Sequence, residues 1–211
     1  MKPNLSLYLV ADAEAPTRLP FLQTIEEALI GGVTIVQLRS KHYLFHELLK
    51  IAHAVRALTS KYRVPFIIND DIQAAREIDA DGVHLGQGDL PIEEARKILG
   101  HKKLIGISTH NPKEAQEAEK KGADYIGAGT VFPTASKDDI TGIIGVEGLR
   151  KITLHAKLPV VAIGGIDVSN ALAVMETGVT GVAVISSIMR SDTPRETAER
   201  FRIIIDRQKK E

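Results

Sequence analysis

Short apolar runs alternate along the chain with longer, charged, amphipathic segments. The runs are LSLYLVAD (5–12), TIVQLR (34–39), PFIIND (65–70), GVHLGQ (82–87), LIGIST (104–109), YIGAGTV (125–131), VVAIGG (160–165) and GVAVISS (181–187). Each of these eight is about six to eight residues long and apolar nearly throughout, the pattern of parallel strands buried on both faces. The segments between them read as helices with interpretable ends. Asn111 is placed to cap a helix that begins at Pro112 and is closed by Gly122. Pro91 opens another helix, which Gly100 closes, and Ser169 is placed to cap the segment that ends before Gly178. GGVTIV, KGADYIG and TGVTGVAV each put glycine just before the next run, a weak internal repeat of one β–α unit.

Eight such units predict an α/β protein closed into a (β/α)8 TIM barrel, with an open doubly wound sheet of five or six strands as the runner-up. No composition break or Gly/Ser/Pro linker divides residues 1–211, so one domain is expected, with its active site at the carboxyl ends of the strands.

Composition narrows the function. The 211 residues include no cysteine, which excludes a disulfide scaffold, a thiolate metal site and a cysteine nucleophile. Twenty-seven basic side chains balance 27 acidic ones, which argues against general nucleic-acid binding but leaves room for a local basic pocket. The N-terminal stretch lacks a signal-peptide pattern, and no segment approaches the roughly 18 apolar residues of a membrane span. A cytoplasmic protein without membrane or nucleic-acid partners is expected, and the sequence is compatible with a homo-oligomer.

The informative polar residues fall where the runs end. The second run ends in Gln37-Leu38-Arg39-Ser40-Lys41, the third in Asn69-Asp70-Asp71, and the fourth leads through Gly86-Gln87-Gly88-Asp89. Neighbouring strands lie about 4.8 Å apart, so Asp70 and Asp89, on consecutive strand ends, can reach one cation. Two carboxylates without thiolates or a histidine pair at ligand spacing favour Mg²⁺, which keeps water and phosphate oxygens in its shell. The alternative is that Asp70 or Asp71 caps the third helix and Asp89 precedes a proline-initiated one. Arg39, Lys41 and Lys137 are expected over the same mouth as clamps for a phosphorylated ligand, with a rim ion-pair network as the alternative.

The last two runs carry a second anion signal. Gly164-Gly165 permit close approach of backbone to ligand, and Ile185-Ser186-Ser187 supply N–H groups and hydroxyls opposite, at the frequent phosphate site of such barrels. A GxxxxGK[ST] segment and a GxGxxG turn are both missing, which disfavours nucleotide hydrolysis and dinucleotide redox chemistry. Among seven histidines, His42, His46 and His53 read as a solvated helix face and His84 as a satisfied core residue. His110, directly after the fifth run, is the one placed for chemistry.

At these positions the chain resembles a known family. QLRSK, IINDD, HLGQGD, GISTH, GTVFPTASK, AIGGI and VISSI, in that order, resemble the thiamine-phosphate synthase family over nearly the whole chain. The resemblance implies a (β/α)8 barrel that joins a hydroxymethylpyrimidine diphosphate to a thiazole phosphate and releases diphosphate. It implies that Gln37, Arg39, Lys41, Asn69, Ser108 and Lys137 contact the pyrimidine diphosphate, with Arg39, Lys41 and Lys137 catalytic. Asp70 and Asp89 match the Mg²⁺ ligands, and Thr134, Ser136, Gly165, Ile185 and Ser186 the thiazole-phosphate contacts. Two positions depart from the family pattern: Ser40 stands where glutamate is common, and Ser136 where threonine is. The rivals are a thiazole tautomerase of the same fold, which would use His110 as acid and base, and a non-catalytic sensor of phosphorylated metabolites.

Overall fold

The computed structural model describes residues 3–134 and 142–209. Among them, eight strands run parallel: β1 (Leu7–Asp12), β2 (Ile35–Arg39), β3 (Phe66–Asn69), β4 (Gly82–Leu85), β5 (Leu104–Thr109), β6 (Tyr125–Ala128), β7 (Val160–Ile163) and β8 (Gly181–Val184). They close into a barrel in sequence order, with β8 returning to pair with β1. The expected TIM barrel is therefore the observed fold. The helices around it are α1 (Phe21–Ile30), α2 (Phe45–Tyr62), α3 (Ile72–Glu77), α4 (Ile92–Leu99), α5 (Pro112–Lys121), α6 (Gly145–His155), α7 (Ala171–Met175), α8 (Ser186–Met189) and α9 (Pro194–Gln208). No helix among the described residues is long and apolar enough to cross a membrane.

Most helix ends follow from their sequence. The Asn111 side chain accepts from the Glu114 N–H, Pro112 opens α5, and Gly122 ends it in the left-handed conformation. Pro91 and Gly100 flank α4 as expected. Ser169 does not cap α7. Asp167 accepts from the backbone N–H groups of Ser169 and Asn170 and from the Ser169 hydroxyl, while its own N–H donates to the Asn170 side-chain oxygen. A carboxylate outcompetes a hydroxyl as the acceptor at a helix start, so Ser169 becomes a donor there.

Two layers of side chains hold the barrel. Outward-facing strand residues such as Leu9, Val36, Leu38 and Val83 are fully or nearly fully buried with the inner faces of the helices, among them Ile25, Ala28, Ala52 and Val55. The other layer lies inside the ring. Register places Val10 beside Gln37, Asp12 beside Arg39, Asn69 beside His84, and His84 and Tyr125 on either side of Gly106. An eight-stranded barrel leaves only enough interior for its own side chains. Tyr125 and His84 there demand small neighbours, which Gly106 and Gly127 provide, while Gly181 lets β8 approach the chain just before β1.

The seam is the tightest of these places. A methyl group added at Gly181 would lie 2.0 Å from the Leu5 carbonyl oxygen and 2.4 Å from that of Ser6. Backbone cannot yield as a flexible side chain does, so Gly181→Ala is expected to destabilise the barrel by about 1–3 kcal/mol or more. Urea denaturation followed by circular dichroism checks this, and a midpoint equal to that of the parent would contradict it.

Candidate active site

The polar strand ends form one continuous constellation from β1 to β5. Gln37 and Arg39 alternate with Leu38 on β2, so both face the interior while Leu38 packs outward. Arg39 is only 6% exposed, and its Nη1 donates to Asp12 Oδ2 at the end of β1. Asp12 and Arg39 are register partners across the β1–β2 pair, which fixes this contact. A buried ion pair holds its geometry because either charge left alone there is costly.

The next turn is organised from the β1 side. The Glu14 carboxylate accepts from the Ser40 hydroxyl at 2.7 Å, from the Lys41 N–H at 3.0 Å and from the His42 N–H at 2.9 Å. Ser40, the position that departs from the family pattern, thus sits against a carboxylate supplied by another loop. With its backbone so anchored, Lys41 reaches across to β3, where its Nζ donates to Asp70 Oδ2 at 2.9 Å.

Asp70 has φ 60°, a left-handed conformation uncommon for a residue with a side chain. Its N–H still extends the β3–β4 ladder to the His84 carbonyl at 2.9 Å, and the Asn69 amide donates to its carboxylate. Asp71, not Asp70, caps α3 by accepting from the Ala74 N–H. The capping alternative for Asp70 is thereby removed. Burial pushes the Asp70 carboxyl above its ordinary range, Lys41 pulls it down, and the facing Asp89 carboxylate raises it again. Asp89 is held in a tight turn by accepting from the Gly86 N–H at 2.6 Å.

No group of three or more His, Asp, Glu or Cys among the described residues gathers at a single metal position. The pair Asp70–Asp89 nevertheless fits magnesium, which takes one or two carboxylates and completes its shell with water and phosphate oxygens. Two carboxylates brought together with one held largely out of solvent make a donor set of the right charge and hardness.

Beneath this rim runs a polar chain that the apolar look of the strands conceals. Gln37 Nε2 donates to the Tyr8 hydroxyl at 2.8 Å, and the Tyr8 and Tyr125 hydroxyls are 2.8 Å apart. Tyr125 OH lies 3.1 Å from His84 Nδ1, and His84 Nε2 lies 3.1 Å from Ser108 Oγ. His84 is thus bonded as expected, but it joins two expected site residues, Gln37 and Ser108. The Gln87 side chain fixes β5 from above by donating to the Ser108 carbonyl at 2.6 Å. His110 is engaged elsewhere, with Nδ1 2.9 Å from Glu114 Oε2 at the start of α5. His42, His46 and His53 lie exposed on and before α2, as the sequence suggests.

The opposite half of the mouth is built from backbone. A pocket here is lined by Thr130, Thr134, Gly164, Gly165, Ile185 and Ser186, among others. Gly164 and Gly165 have φ 106° and 63°, a region that favours glycine. The added methyl groups would strike Thr130, Phe132 and Pro133, so these glycines first serve the crossing of the β6 and β7 loops. The Gly165 carbonyl accepts from the Asn170 amide at 2.9 Å, which holds it in place. Ser136 and Lys137 lie outside the described residues.

Sequence reasoning missed Asp12, Glu14, Tyr8 and Tyr125. Asp12 carries a legible signal, since it ends the first run as Arg39 ends the second. The tyrosines carry none, because an aromatic within an apolar run reads as ordinary core.

Barrels with charged groups at the carboxyl ends of early strands and a glycine-walled pocket after the last two form the phosphate-handling class of (β/α)8 enzymes, and this chain has that build. Residues 7–188 match the family model described as thiamine monophosphate synthase, and the chain belongs to that family. It is 51% identical over 192 residues to the thiamine-phosphate synthase of Clostridium novyi (strain NT), covering 91% of this chain and 94% of the relative. The thiamine-phosphate synthase of Halalkalibacterium halodurans is 44% identical over 205 residues, 97% of each chain. Among solved structures, the thiamine phosphate pyrophosphorylase of Pyrococcus furiosus superposes with a TM-score of 0.88 at 44% identity, over 98% of both chains.

The raised Asp70 carboxyl has a stability consequence. The folded state holds this proton more tightly than the unfolded state, so stability falls as pH rises through the folded-state value. Asp70→Asn removes that loss. In chelator-treated protein the variant is expected to melt at a higher temperature than the parent near pH 7, and the gain is expected to vanish below the ordinary carboxylate range. Calorimetry at the two pH values checks the sign, and a variant less stable at neutral pH would contradict it.

Proposed function

We propose that this chain condenses 4-amino-2-methyl-5-hydroxymethylpyrimidine diphosphate with a thiazole phosphate, giving thiamine phosphate and diphosphate. The thiazole partner is 4-methyl-5-(2-phosphoethyl)thiazole or its carboxylated form, which would release carbon dioxide as well. The observation that carries the reading is the meeting of Lys41, Asp70 and Asp89 at adjacent strand ends in a chain of this family.

In this reaction the bond between the pyrimidine methylene carbon and the bridging oxygen breaks, and its electron pair leaves with diphosphate. The aminopyrimidine carries the resulting positive charge until the thiazole nitrogen donates its lone pair to the methylene carbon. No protein nucleophile is needed. Lys41, Arg39 and Lys137 stabilise the departing diphosphate, and preorganised charge in a partly dry mouth does this without reorganisation at the moment of bond breaking. The Asp12–Arg39 pair supports this role, because it holds a cation beneath the mouth before any ligand arrives.

Gln37, Asn69 and Ser108 hold the pyrimidine, while Thr134, Ser136, Gly165, Ile185 and Ser186 hold the thiazole phosphate. Keeping both substrates in attack geometry supplies much of the acceleration expected of a two-substrate condensation. Asp70 and Asp89 would hold Mg²⁺, which when bound neutralises charge on the diphosphate oxygens. The partners are thus phosphorylated small molecules.

Mixing the pyrimidine diphosphate with the thiazole phosphate, with and without Mg²⁺, is expected to give thiamine phosphate by mass only when the metal is present. Asp70→Asn and Asp89→Asn are each expected to lower turnover at least a hundredfold at ordinary Mg²⁺ concentrations, whereas His110→Gln retains it. Activity that survives loss of Asp70 but not of His110 would point instead to proton-transfer isomerisation of a thiazole.

A further inference from the structure

The chain of side chains through the barrel interior has a direction. Gln37 Nε2 can only donate, so the Tyr8 oxygen accepts, and the single Tyr8 proton is left for Tyr125. Tyr8 and Tyr125 can each donate to the other, and in the direction set by Gln37 the Tyr125 proton goes to His84 Nδ1. In that direction His84 carries its proton on Nε2 and gives it to Ser108 Oγ. One end of the chain therefore leaves Gln37 Oε1 as an acceptor. The other leaves the Ser108 hydroxyl proton as a donor. An amino group beside a ring nitrogen presents the complementary pattern, and an oxo group beside a ring N–H presents the opposite one.

We propose that Tyr8, Tyr125 and His84 form a directed relay that fixes the polarity of Gln37 and Ser108, so that the site accepts an aminopyrimidine and rejects its oxo counterpart. The proposal rests on the reading of Gln37 and Ser108 as pyrimidine contacts. Tyr8 and Tyr125 are positioning residues, acting through groups that meet the ligand.

Burial and packing both support it. Tyr8 and Tyr125 are 2% and 1% exposed, so both hydroxyls depend on partners inside the barrel. Burial raises both phenols well above their ordinary range, so each keeps its proton and its role as donor. The barrel also makes room for the relay at a specific position. A methyl group at Gly106 would lie 2.4 Å from Tyr125 OH and 2.5 Å from His84 Nδ1, the two atoms that share the central bond. Buried networks of this kind specify one arrangement only when every member is satisfied, and here each link has a partner.

The test has two arms on the full chain. Long-range ¹H–¹⁵N spectroscopy of ligand-free protein, in alkaline buffer where imidazole is uncharged, is expected to show the His84 proton on Nε2 and none on Nδ1. A proton on Nδ1 would overturn the relay direction. Calorimetry then compares binding of the amino and oxo pyrimidine diphosphates, with Mg²⁺, to the parent, Tyr8→Phe and Tyr125→Phe. The parent is expected to prefer the amino ring, and each variant to lose about tenfold of that preference, as expected when a polar group in a binding site loses its set partner. An unchanged preference in both folded variants would overturn the recognition role. Should either variant fail to fold, the tautomer of the parent still decides the direction. A parent that binds neither ring would overturn the reading of the site, separately from the tautomer result.

Discussion

Closure of eight strands into one ring decides everything else in this molecule. A closed ring makes every second strand residue an interior residue, and that interior is too narrow for an aqueous pore. The sequence meets the constraint by setting large polar side chains against glycines. Tyr8, Gln37, His84 and Tyr125 line the centre, with Gly106 and Gly127 giving way to Tyr125 and His84. The floor of the site is therefore part of the packing. Its hydrogen-bonding groups cannot drift without opening a void or a clash, which gives them the rigidity that recognition requires.

The mouth above that floor has two halves of different chemistry. From β1 to β5 it is made of charged and amide side chains tied across strand ends by Asp12–Arg39, Glu14–Ser40 and Lys41–Asp70. From β6 to β8 it is made of glycine-rich backbone, where Gly164 and Gly165 allow two loops to cross. The early half concentrates charge and the late half offers neutral donors. One opening thus holds two environments of different charge.

Much of this was legible in the residues. Apolar runs separated by capped helices located every strand, and the observed ends fall at or a few residues inside the expected ones. The pairing of Asp70 with Asp89 followed from strand adjacency alone. Other features were hidden for physical reasons. Arg39 looked like an open clamp, because its partner Asp12 lies 27 positions away and only strand register brings them together. Tyr8 and Tyr125 looked like core, since an apolar run does not reveal which face of a strand carries a hydroxyl. Ser169 looked like a cap, because sequence preference ranks serine as an acceptor without seeing the stronger acceptor Asp167 two residues earlier.

The seam between β1 and β8 bears on how the chain assembles. Val182 N–H bonds to the Ser6 carbonyl, and Lys209 Nζ donates to the Ser6 hydroxyl across almost the full sequence. Until β8 and α9 exist, β1 has a partner on one side only and shows an unpaired edge with Leu7 and Leu9 beside it. Such distant contacts are slow to form, because loop-closure entropy is lost before any pairing is gained. The β1–β8 contact thus covers an edge of the kind that pairs with other chains, and any chain in which the two ends have not met leaves that edge open.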